Sequence, residues 1–426
     1  MKARVQKLVP FAFALTIALA GTAACTEPTE ATPGDLASVE ITVAALPPSP
    51  TNAVADDSRA AALGQALFFD RGLSADGTIG CVSCHDPARG FSDARARSVG
   101  VRGQLGDRHS MPVTAAALHP YLLWDGKADS AWSQPLKALE NPKEMDFTRV
   151  EVARALVERY PAEYKAVFGP LPDLSAAPPR AKPGDVAWEE MSIPLRDDVQ
   201  RAFANAGKAI EAYERKILCS NTRFDRSLRG EEELSTAERA GAAIFERERC
   251  TGCHSGPSFS DGKFYNIGLP SPDRGRVLGA AALKSDPFNG AGAYSDNPAA
   301  GAAKLATIAA ETAQEGAFRT ASLRGVAQRT FFGHASHQQS LRGFILDVYR
   351  GGRGRNGRGG DADRSGGGAG AGAGPGAGAG GATVGALDPL LQGVNIDNGD
   401  VDDLIAFLKT LDCPPLPPEL VAPRRP

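Results

Sequence analysis

A five-residue motif that occurs twice sets the strongest limit on what this chain can fold around. Cys81-Val82-Ser83-Cys84-His85 and Cys250-Thr251-Gly252-Cys253-His254 both have the form C-x-x-C-H. In such a motif two thiols can form thioether bonds with a haem while the adjacent imidazole binds its iron. A zinc site would need four converging ligands, and no second C-x-x-C pair lies close to either motif. We therefore expect two covalently bound c-type haems, attached through Cys81, Cys84, Cys250 and Cys253, with His85 and His254 as iron ligands.

The composition limits the class of partner. The chain has 426 residues, a formal net charge of −3 and a pI near 6.1. A length of this order predicts two or three domains, each able to bury its own core. Nucleic-acid binding usually shows as a basic excess, so we expect no nucleic-acid partner.

The N-terminus has the pattern of an export signal. Basic residues at positions 2, 4 and 7 precede an apolar run over residues 9–20, which is too short to span a membrane comfortably. We interpret residues 1–24 as a signal peptide and residues 25–58, which lack apolar periodicity, as a disordered tether. Cleavage before Cys25 resembles a bacterial lipoprotein signal, although Thr22 stands where such signals usually carry Leu. The expected location is the periplasm, with a lipid anchor at Cys25; plain secretion is the alternative.

Two cysteines remain after haem attachment and export are accounted for. They are Cys219 and Cys413. An oxidising periplasm would let them pair, which would join the segment after the first haem domain to the end of the second. Two separate thiols are the alternative interpretation.

Further motifs follow in a fixed order along the chain. W-D-G-K at residues 124–127, Gln134, and N-P-x-E-M at residues 141–145 lie between the two C-x-x-C-H motifs. The ordered set resembles the bacterial di-haem cytochrome c peroxidase superfamily, which includes MauG, over residues 59–412. The sequence of residues 132–140 is most similar to the MbnH-like branch of that superfamily.

The resemblance implies a fold and a domain order. We expect a mostly α-helical protein of two cytochrome c-like haem domains in tandem with long loops. The N-terminal domain would span residues 59–230 and carry the peroxide-reactive haem, and the C-terminal domain would span residues 231–413. Residues 351–382 are a Gly-rich insertion in the second domain, and residues 414–426 are a Pro-rich tail.

Three residues are candidates for the chemistry. Cleavage of hydrogen peroxide at a ferric haem needs an open iron position and a group that moves a proton between the two oxygens. Glu144 is the candidate for that proton transfer, with Gln134 orienting water or peroxide by hydrogen bonds. Trp124 corresponds to the Trp that lies between the haems in the superfamily, where a large, oxidisable indole would carry electrons. Each also has an ordinary interpretation: Glu144 as a surface carboxylate, and Gln134 and Trp124 as packing residues.

The sixth iron ligands separate the branches of the superfamily. Peroxidases that need prior reduction carry a displaceable His at about the position of Val101, so its absence predicts an open first haem. The four methionines all precede residue 250, which excludes a downstream Met ligand for the second haem. Tyr349 falls close to the axial Tyr of MauG-like proteins, and a phenolate would stabilise oxidised iron.

A calcium ion between the haems is a further cofactor that the resemblance implies. Its motif positions are altered here, because His109, Arg329 and Phe331 stand where the superfamily has Asn, Thr and Pro. A cationic Arg would weaken a site of hard oxygen ligands, so we retain calcium only as a candidate.

Three functions are compatible with these residues. The first is a di-haem peroxidase that uses hydrogen peroxide to oxidise a partner protein, as in MauG and MbnH-like proteins. The second is peroxide detoxification with electrons from a small donor protein. The third is a non-catalytic electron-transfer cytochrome, which Gln134, Glu144 and the absence of a His at Val101 disfavour.

Overall fold

The architecture was analysed in a computed structural model of the full chain. The structure describes residues 46–114, 116–308, 314–350 and 383–424. The expected signal peptide, the Cys25 anchor, most of the tether and the Gly-rich insertion lie outside the described residues. The described residues all belong to one compact unit.

The described chain is mainly helical, with long connections and short 3₁₀ turns. Its only extended pair is an antiparallel ladder of two short strands, β1 (Phe264–Tyr265) and β2 (Phe318–Arg319), within the part that the structure describes. The helices are α1 (Ser58–Phe69), α2 (Cys81–Cys84), α3 (Ser133–Glu140), α4 (Arg149–Arg159), α5 (Pro161–Phe168), α6 (Val186–Glu189), α7 (Ile193–Glu214), α8 (Arg223–Leu228), α9 (Thr236–Arg247), α10 (Arg276–Ser285), α11 (Pro298–Leu305), α12 (Leu341–Arg350) and α13 (Asn398–Lys409).

The same helix crossing occurs in both halves of the chain. In the first half α1, which precedes the first C-x-x-C-H motif, packs on α7; a Cβ at Gly64 would overlap the carbonyl oxygen of Ala209. In the second half α9, which precedes the second motif, packs on α13; a Cβ at Gly241 would overlap the carbonyl oxygen of Asp403. In each pair a glycine lets the two helix backbones approach closely.

Two hydrophobic cores lie around these crossings. The first surrounds α1, α4 and α7. It includes Trp132 and Trp188, which are both buried within it. Its members also include Phe288 and Tyr294, from the part of the sequence that follows the second motif. The second core surrounds α9 and α13, with Phe259 and Phe407 at its centre. The fold is therefore mostly α with two cores, and the first core recruits side chains from the C-terminal half.

A disulfide joins the two halves. Cys219 and Cys413 are bonded, and Cys219 is 2 % exposed. The backbone N–H of Cys219 donates to the carbonyl of Thr114, while the N–H of Cys413 donates to the side-chain oxygen of Gln328. The predicted covalent link between the end of the first haem region and the end of the chain is therefore present. Among the described residues, no helix has the length and apolar character to cross a membrane.

Removing this disulfide tests its contribution to stability. We expect the double variant Cys219→Ser/Cys413→Ser to lower the free energy of unfolding by roughly 2–5 kcal/mol, because the cross-link restricts the unfolded chain. Thermal unfolding followed by circular dichroism would measure the change. A thiol reductant should destabilise the wild type and leave the double variant unaffected. Alkylation of both cysteines in unreduced protein would contradict the link.

Candidate functional site

The first C-x-x-C-H motif presents a neutral imidazole with one nitrogen free. His85 follows α2, and its Nδ1 lies 3.2 Å from the carbonyl oxygen of Phe91 and 3.3 Å from the Ser110 hydroxyl. A carbonyl can only accept, so Nδ1 carries the proton and Nε2 keeps its lone pair. Burial lowers the pKa of His85, which favours the neutral ring. This is the form that an iron ligand requires.

The second motif repeats this arrangement. Nδ1 of His254 lies 3.0 Å from the carbonyl oxygen of Phe259, and burial also lowers the pKa of His254. Phe91 and Phe259 both adopt left-handed backbone angles, with φ of 57° and 50°. Such a conformation is costly for a bulky residue and is kept where the surroundings require it.

A second repeated sequence pattern, which was not among the motifs used to predict the haem sites, accompanies these contacts. Phe91-Ser92-Asp93 and Phe259-Ser260-Asp261 repeat the pattern F-S-D after the two motifs. The Ser92 hydroxyl donates to the carbonyl of Ser110, as the Ser260 hydroxyl donates to the carbonyl of Thr320. The repeated triplet therefore orients the loop that holds each imidazole.

The surroundings of both motifs fit a haem. Cys250, Cys253, His254 and Tyr349 line one cavity that encloses about 1280 Å³, including its open mouth. Apolar side chains make up most of the remaining lining, as a haem macrocycle requires. At the first motif, Cys81 and Cys84 are free thiols and the ring of Phe68 lies 6.4 Å from the His85 ring. Both motifs therefore offer two thiols beside an oriented imidazole.

Glu144 lies close to the first motif. It belongs to the turn after α3, where its Oε1 accepts a hydrogen bond of 2.7 Å from the amide of Asn141. Burial raises the pKa values of Cys81 and Cys84, and the charge of Glu144 contributes to both rises. Burial raises the pKa of Glu144 itself, and the charge of Lys127 and the Asn141 hydrogen bond oppose that rise. A partly buried carboxyl with a raised pKa beside the motif is suited to both accepting and releasing a proton.

Val101, at the position where a displaceable histidine would be expected, lies against Glu144. The backbone N–H of Val101 donates to the carbonyl of Glu144 at 2.9 Å, and Val101 is fully buried. A Cβ at the adjacent Gly100 would clash with the backbone of Lys143 and Glu144. The segment Gly100-Val101 is therefore packed beside Glu144, the candidate for proton transfer. It presents an aliphatic side chain where a displaceable ligand would be.

Gln134 occupies the first turn of α3, which ends at Glu140. It is partly exposed, and its backbone N–H donates to the carbonyl of Ser130. Helix α3 separates Gln134 from the turn that holds Glu144, as the Asn141-Pro142 interruption predicts. The described contacts do not include one between the two side chains.

Trp124 faces the second motif. It lines the cavity that holds His254, and its Nε1–H donates to the carbonyl of His109 at 3.0 Å. Three residues later, Lys127 acts electrostatically on Glu144, which lies beside the first motif. The W-D-G-K turn therefore extends from the second cavity towards the first motif.

Tyr349 and Met111 both line the second cavity. Tyr349, on α12, is partly buried; burial raises its pKa, and the charges of Cys250 and Cys253 contribute to the rise. Met111 precedes the second motif by more than a hundred residues, and the fold brings its sulfur within 3.2 Å of Nη2 of Arg319. No local signal in the sequence predicts the position of Met111, because only tertiary packing places it there.

The remaining histidines separate into two groups. His109 and His334 line the second cavity, and the ring of His334 stacks on Phe318 at 3.6 Å. His337 contacts His334, with ring centroids 4.7 Å apart. His119 instead lines a different cavity, together with Asp129, Glu211 and Lys304.

Comparisons with known proteins agree with this geometry. Residues 58–233 match the family model described as di-haem cytochrome c peroxidase. The methylamine utilization protein MauG of Paracoccus denitrificans (strain Pd 1222) is 30% identical over 388 residues, covering 83% of this chain and 89% of that protein. The cytochrome-c peroxidase IdrP1 of Denitromonas iodatirespirans is 35% identical over 238 residues, 54% of this chain and 55% of the relative.

The chain belongs to the di-haem cytochrome c peroxidase family. Its members include MauG, and the protein is a haem-dependent oxidoreductase that acts on peroxide.

Solved structures show the same fold for this di-haem peroxidase. A MauG-like protein associated with microbial copper homeostasis matches with a TM-score of 0.59 and 25% identity, covering 88% of this chain and 95% of that one. The di-haem peroxidase BthA from Burkholderia thailandensis E264 has a TM-score of 0.58 at 22% identity, covering 84% of this chain and 86% of BthA. The predicted fold class is confirmed.

The charge of Lys127 should control the protonation of Glu144. Lys127→Gln removes a positive charge that stabilises the carboxylate, so we expect the pKa of Glu144 to rise and the carboxylate to be protonated at higher pH. A pH titration of the protonated carboxyl band in the infrared spectrum, assigned by its loss in Glu144→Gln, would measure this. Lys127→Arg keeps the charge and should titrate as the wild type does. An unchanged midpoint in Lys127→Gln would contradict the interaction.

Proposed function

We propose that this di-haem peroxidase reacts with hydrogen peroxide at the first motif and uses the oxidising equivalents to oxidise a partner protein. The observation that carries the proposal is the pairing of Glu144 with Val101 beside the first motif. A partly buried carboxyl would transfer a proton there, and an aliphatic residue occupies the place of a displaceable ligand. The site is then ready for peroxide without prior reduction.

The haems would be held covalently. Cys81 and Cys84 would form the thioether bonds of the first haem and His85 would bind its iron; Cys250, Cys253 and His254 would do the same for the second. Each haem would supply redox-active iron. The imidazole orientation set by Phe91 and Phe259 supports this assignment, because it directs Nε2 away from the hydrogen-bonded side of each ring.

Glu144 would carry the proton during peroxide cleavage. Its carboxylate would accept the proton of one peroxide oxygen and return it to the other, which would leave as water, while the bound haem would supply the two electrons that cleavage of the O–O bond requires. Asn141 holds Oε1 by its hydrogen bond and so limits the rotation of the carboxylate. Gln134 would orient the incoming peroxide or water from α3.

Trp124 would carry electrons between the two haems. Its indole is held by a hydrogen bond to the carbonyl of His109 and lines the second cavity. Its turn reaches Lys127, whose charge acts on Glu144 beside the first motif. These contacts support a position between the haems.

Tyr349 favours protein oxidation over simple peroxide removal. A phenolate ligand from Tyr349 would stabilise oxidised iron at the second haem, and stored oxidising equivalents suit a slow reaction with a protein. The alternative is a cytochrome c peroxidase fed by a small donor protein, the activity named for IdrP1. A non-catalytic cytochrome is the least supported, because Glu144 would then have no role beside the first motif.

Export to the periplasm and lipidation of Cys25 remain part of the proposal. They rest on the N-terminal sequence pattern alone. Incorporation of a labelled fatty acid into the wild type, but not into Cys25→Ala, would support the anchor.

The reaction with peroxide tests the proposed role of Glu144. Stoichiometric peroxide added to the fully ferric protein should produce a persistent spectral change without a reductant. We expect Glu144→Gln to slow its appearance by roughly 10²–10⁴-fold, the usual contribution of a positioned acid–base group. Glu140→Gln, at the end of the helix that precedes the Glu144 turn, should react at the wild-type rate. Two haems that are inert to peroxide until reduced would exclude this mechanism.

The second-haem ligand can be tested by reduction potential. Tyr349→Phe removes an anionic oxygen, so we expect the potential of the second haem to rise, because ferric iron loses a stabilising ligand. Spectroelectrochemical titration would measure the shift. Met111→Leu changes the other ligand candidate in the cavity and should leave the potential close to the wild-type value. A shift only in Met111→Leu would assign the ligand to the sulfur instead.

A further inference from the structure

Two arginines that line the cavity of the second motif have no carboxylate partner among the described residues. Arg319 is 4% exposed, and the acceptors that the described residues offer its guanidinium are neutral. These are the carbonyls of Leu123 and Thr320, each at 3.3 Å, and the sulfur of Met111 at 3.2 Å. Burial, with a contribution from Arg329, lowers the pKa of Arg319 to about 9.

Arg329, which is partly buried, also donates to backbone carbonyls. Its Nη2 donates to the carbonyls of Ser322 and Arg324 at 3.2 and 3.0 Å, while its Nε is buried without a partner. Burial lowers the pKa of Arg329 to about 10. In the part of the chain that the structure describes, neither Arg319 nor Arg329 forms a salt bridge.

A neighbouring arginine shows how this chain neutralises a buried guanidinium elsewhere. Arg324 lies between the two on the same segment and is 1% exposed. It forms a two-point ion pair with Asp225, with distances of 2.8 and 3.0 Å. Buried charges are normally paired in this way. Among the described residues no carboxylate pairs with Arg319 or Arg329, which points to an anion that does not belong to this part of the polypeptide.

The three altered calcium positions meet at Arg329. The rings of His109 and Phe331 are 6.0 Å apart, and the charge of Arg329 contributes to the lowered pKa of His109. All three residues line the second cavity. Calcium takes six to eight oxygen ligands, and among the described residues no group of three or more His, Cys, Asp or Glu is arranged to hold a metal ion. A calcium ion here would meet the like charge of Arg329, whose guanidinium already takes the carbonyls of Ser322 and Arg324 as acceptors.

We infer that the guanidinium of Arg329 is the built-in cation of this site, taking the place of a divalent metal ion and, with Arg319, binding the carboxylates of the second haem. The inference rests on the proposed binding of a haem at Cys250, Cys253 and His254. A haem brings two carboxylates, which match two unpaired guanidiniums in charge and number. Arginine suits this contact because its planar fork binds carboxylates at two points.

The consequence is electrostatic. A fixed positive charge in a buried cavity favours the ferrous haem over the more positively charged ferric haem. The second haem should therefore keep its potential without any added metal ion, and removing the charge should favour the ferric form.

The decisive experiment uses the complete haem-loaded protein. Calcium is counted by mass spectrometry, and the potential of the second haem is measured before and after treatment with a calcium chelator. We expect no stoichiometric calcium and no shift. In Arg329→Gln, the ferric-to-ferrous ratio at the wild-type midpoint should rise at least tenfold, equivalent to about 59 mV for a one-electron couple. Arg329→Lys, which keeps the charge, should retain most of the wild-type potential.

A surface arginine provides the matched control. Arg274 is half exposed and paired with Glu315, so Arg274→Gln should leave the potential unchanged. Stoichiometric calcium in the wild type whose removal shifts the potential would overturn the inference, as would equal potentials in Arg329→Gln and Arg274→Gln. If Arg329→Gln fails to load haem, the calcium content of the wild type and the potential of Arg329→Lys still decide. None of these measurements uses peroxide, so inertness to peroxide with these results intact would overturn only the proposed function.

Discussion

The hydrogen bond from each motif imidazole to a backbone carbonyl is the interaction on which the rest of the site depends. His85 and His254 each donate Nδ1–H to a phenylalanine carbonyl, which leaves Nε2 free to bind iron. Both phenylalanines adopt left-handed backbone angles, a conformation that costs about 1–3 kcal/mol per residue. The strained conformation occurs at both motifs. It holds the carbonyl that keeps the proton on Nδ1, and an imidazole protonated on Nε2 could not bind iron through that nitrogen.

The two halves of the molecule share one plan but meet asymmetrically. Leu122 and Phe332 each form an isolated β-bridge with the residue six positions later. Each lies twelve residues after a carbonyl that accepts a serine hydrogen bond: Leu122 follows Ser110, and Phe332 follows Thr320. Trp124 and His334 thus occupy corresponding places, two residues after those bridges. Their rings lie 6.4 Å apart in contact at the second cavity. The repeat therefore places an oxidisable indole from one half beside the haem site of the other.

Much of this arrangement follows from local signals. Helices α1, α4, α7, α9 and α13 follow from the local sequence, because their apolar residues recur at helical spacing. The placement of Tyr349 near Cys250 and Cys253 agrees with its position in the motif series. Met111 and the unpaired arginines could not be anticipated, because their surroundings come from segments that are far apart in the chain. Phe288 and Tyr294 likewise join the first core across a distance that no periodicity reveals.

The sequence by itself determined the chemistry that this protein carries: two thiol pairs with adjacent imidazoles, a carboxylate after an Asn-Pro interruption, and no histidine at position 101. Those features depend on residue type and short spacing, which a chain displays without being folded. How these groups act on one another depends on the packing of the folded chain. Packing brings Val101 against Glu144, and among the described residues it leaves the guanidiniums of Arg319 and Arg329 without a carboxylate partner. Burial and charge pairing are properties of packed surroundings, and the surroundings exist only in the folded protein.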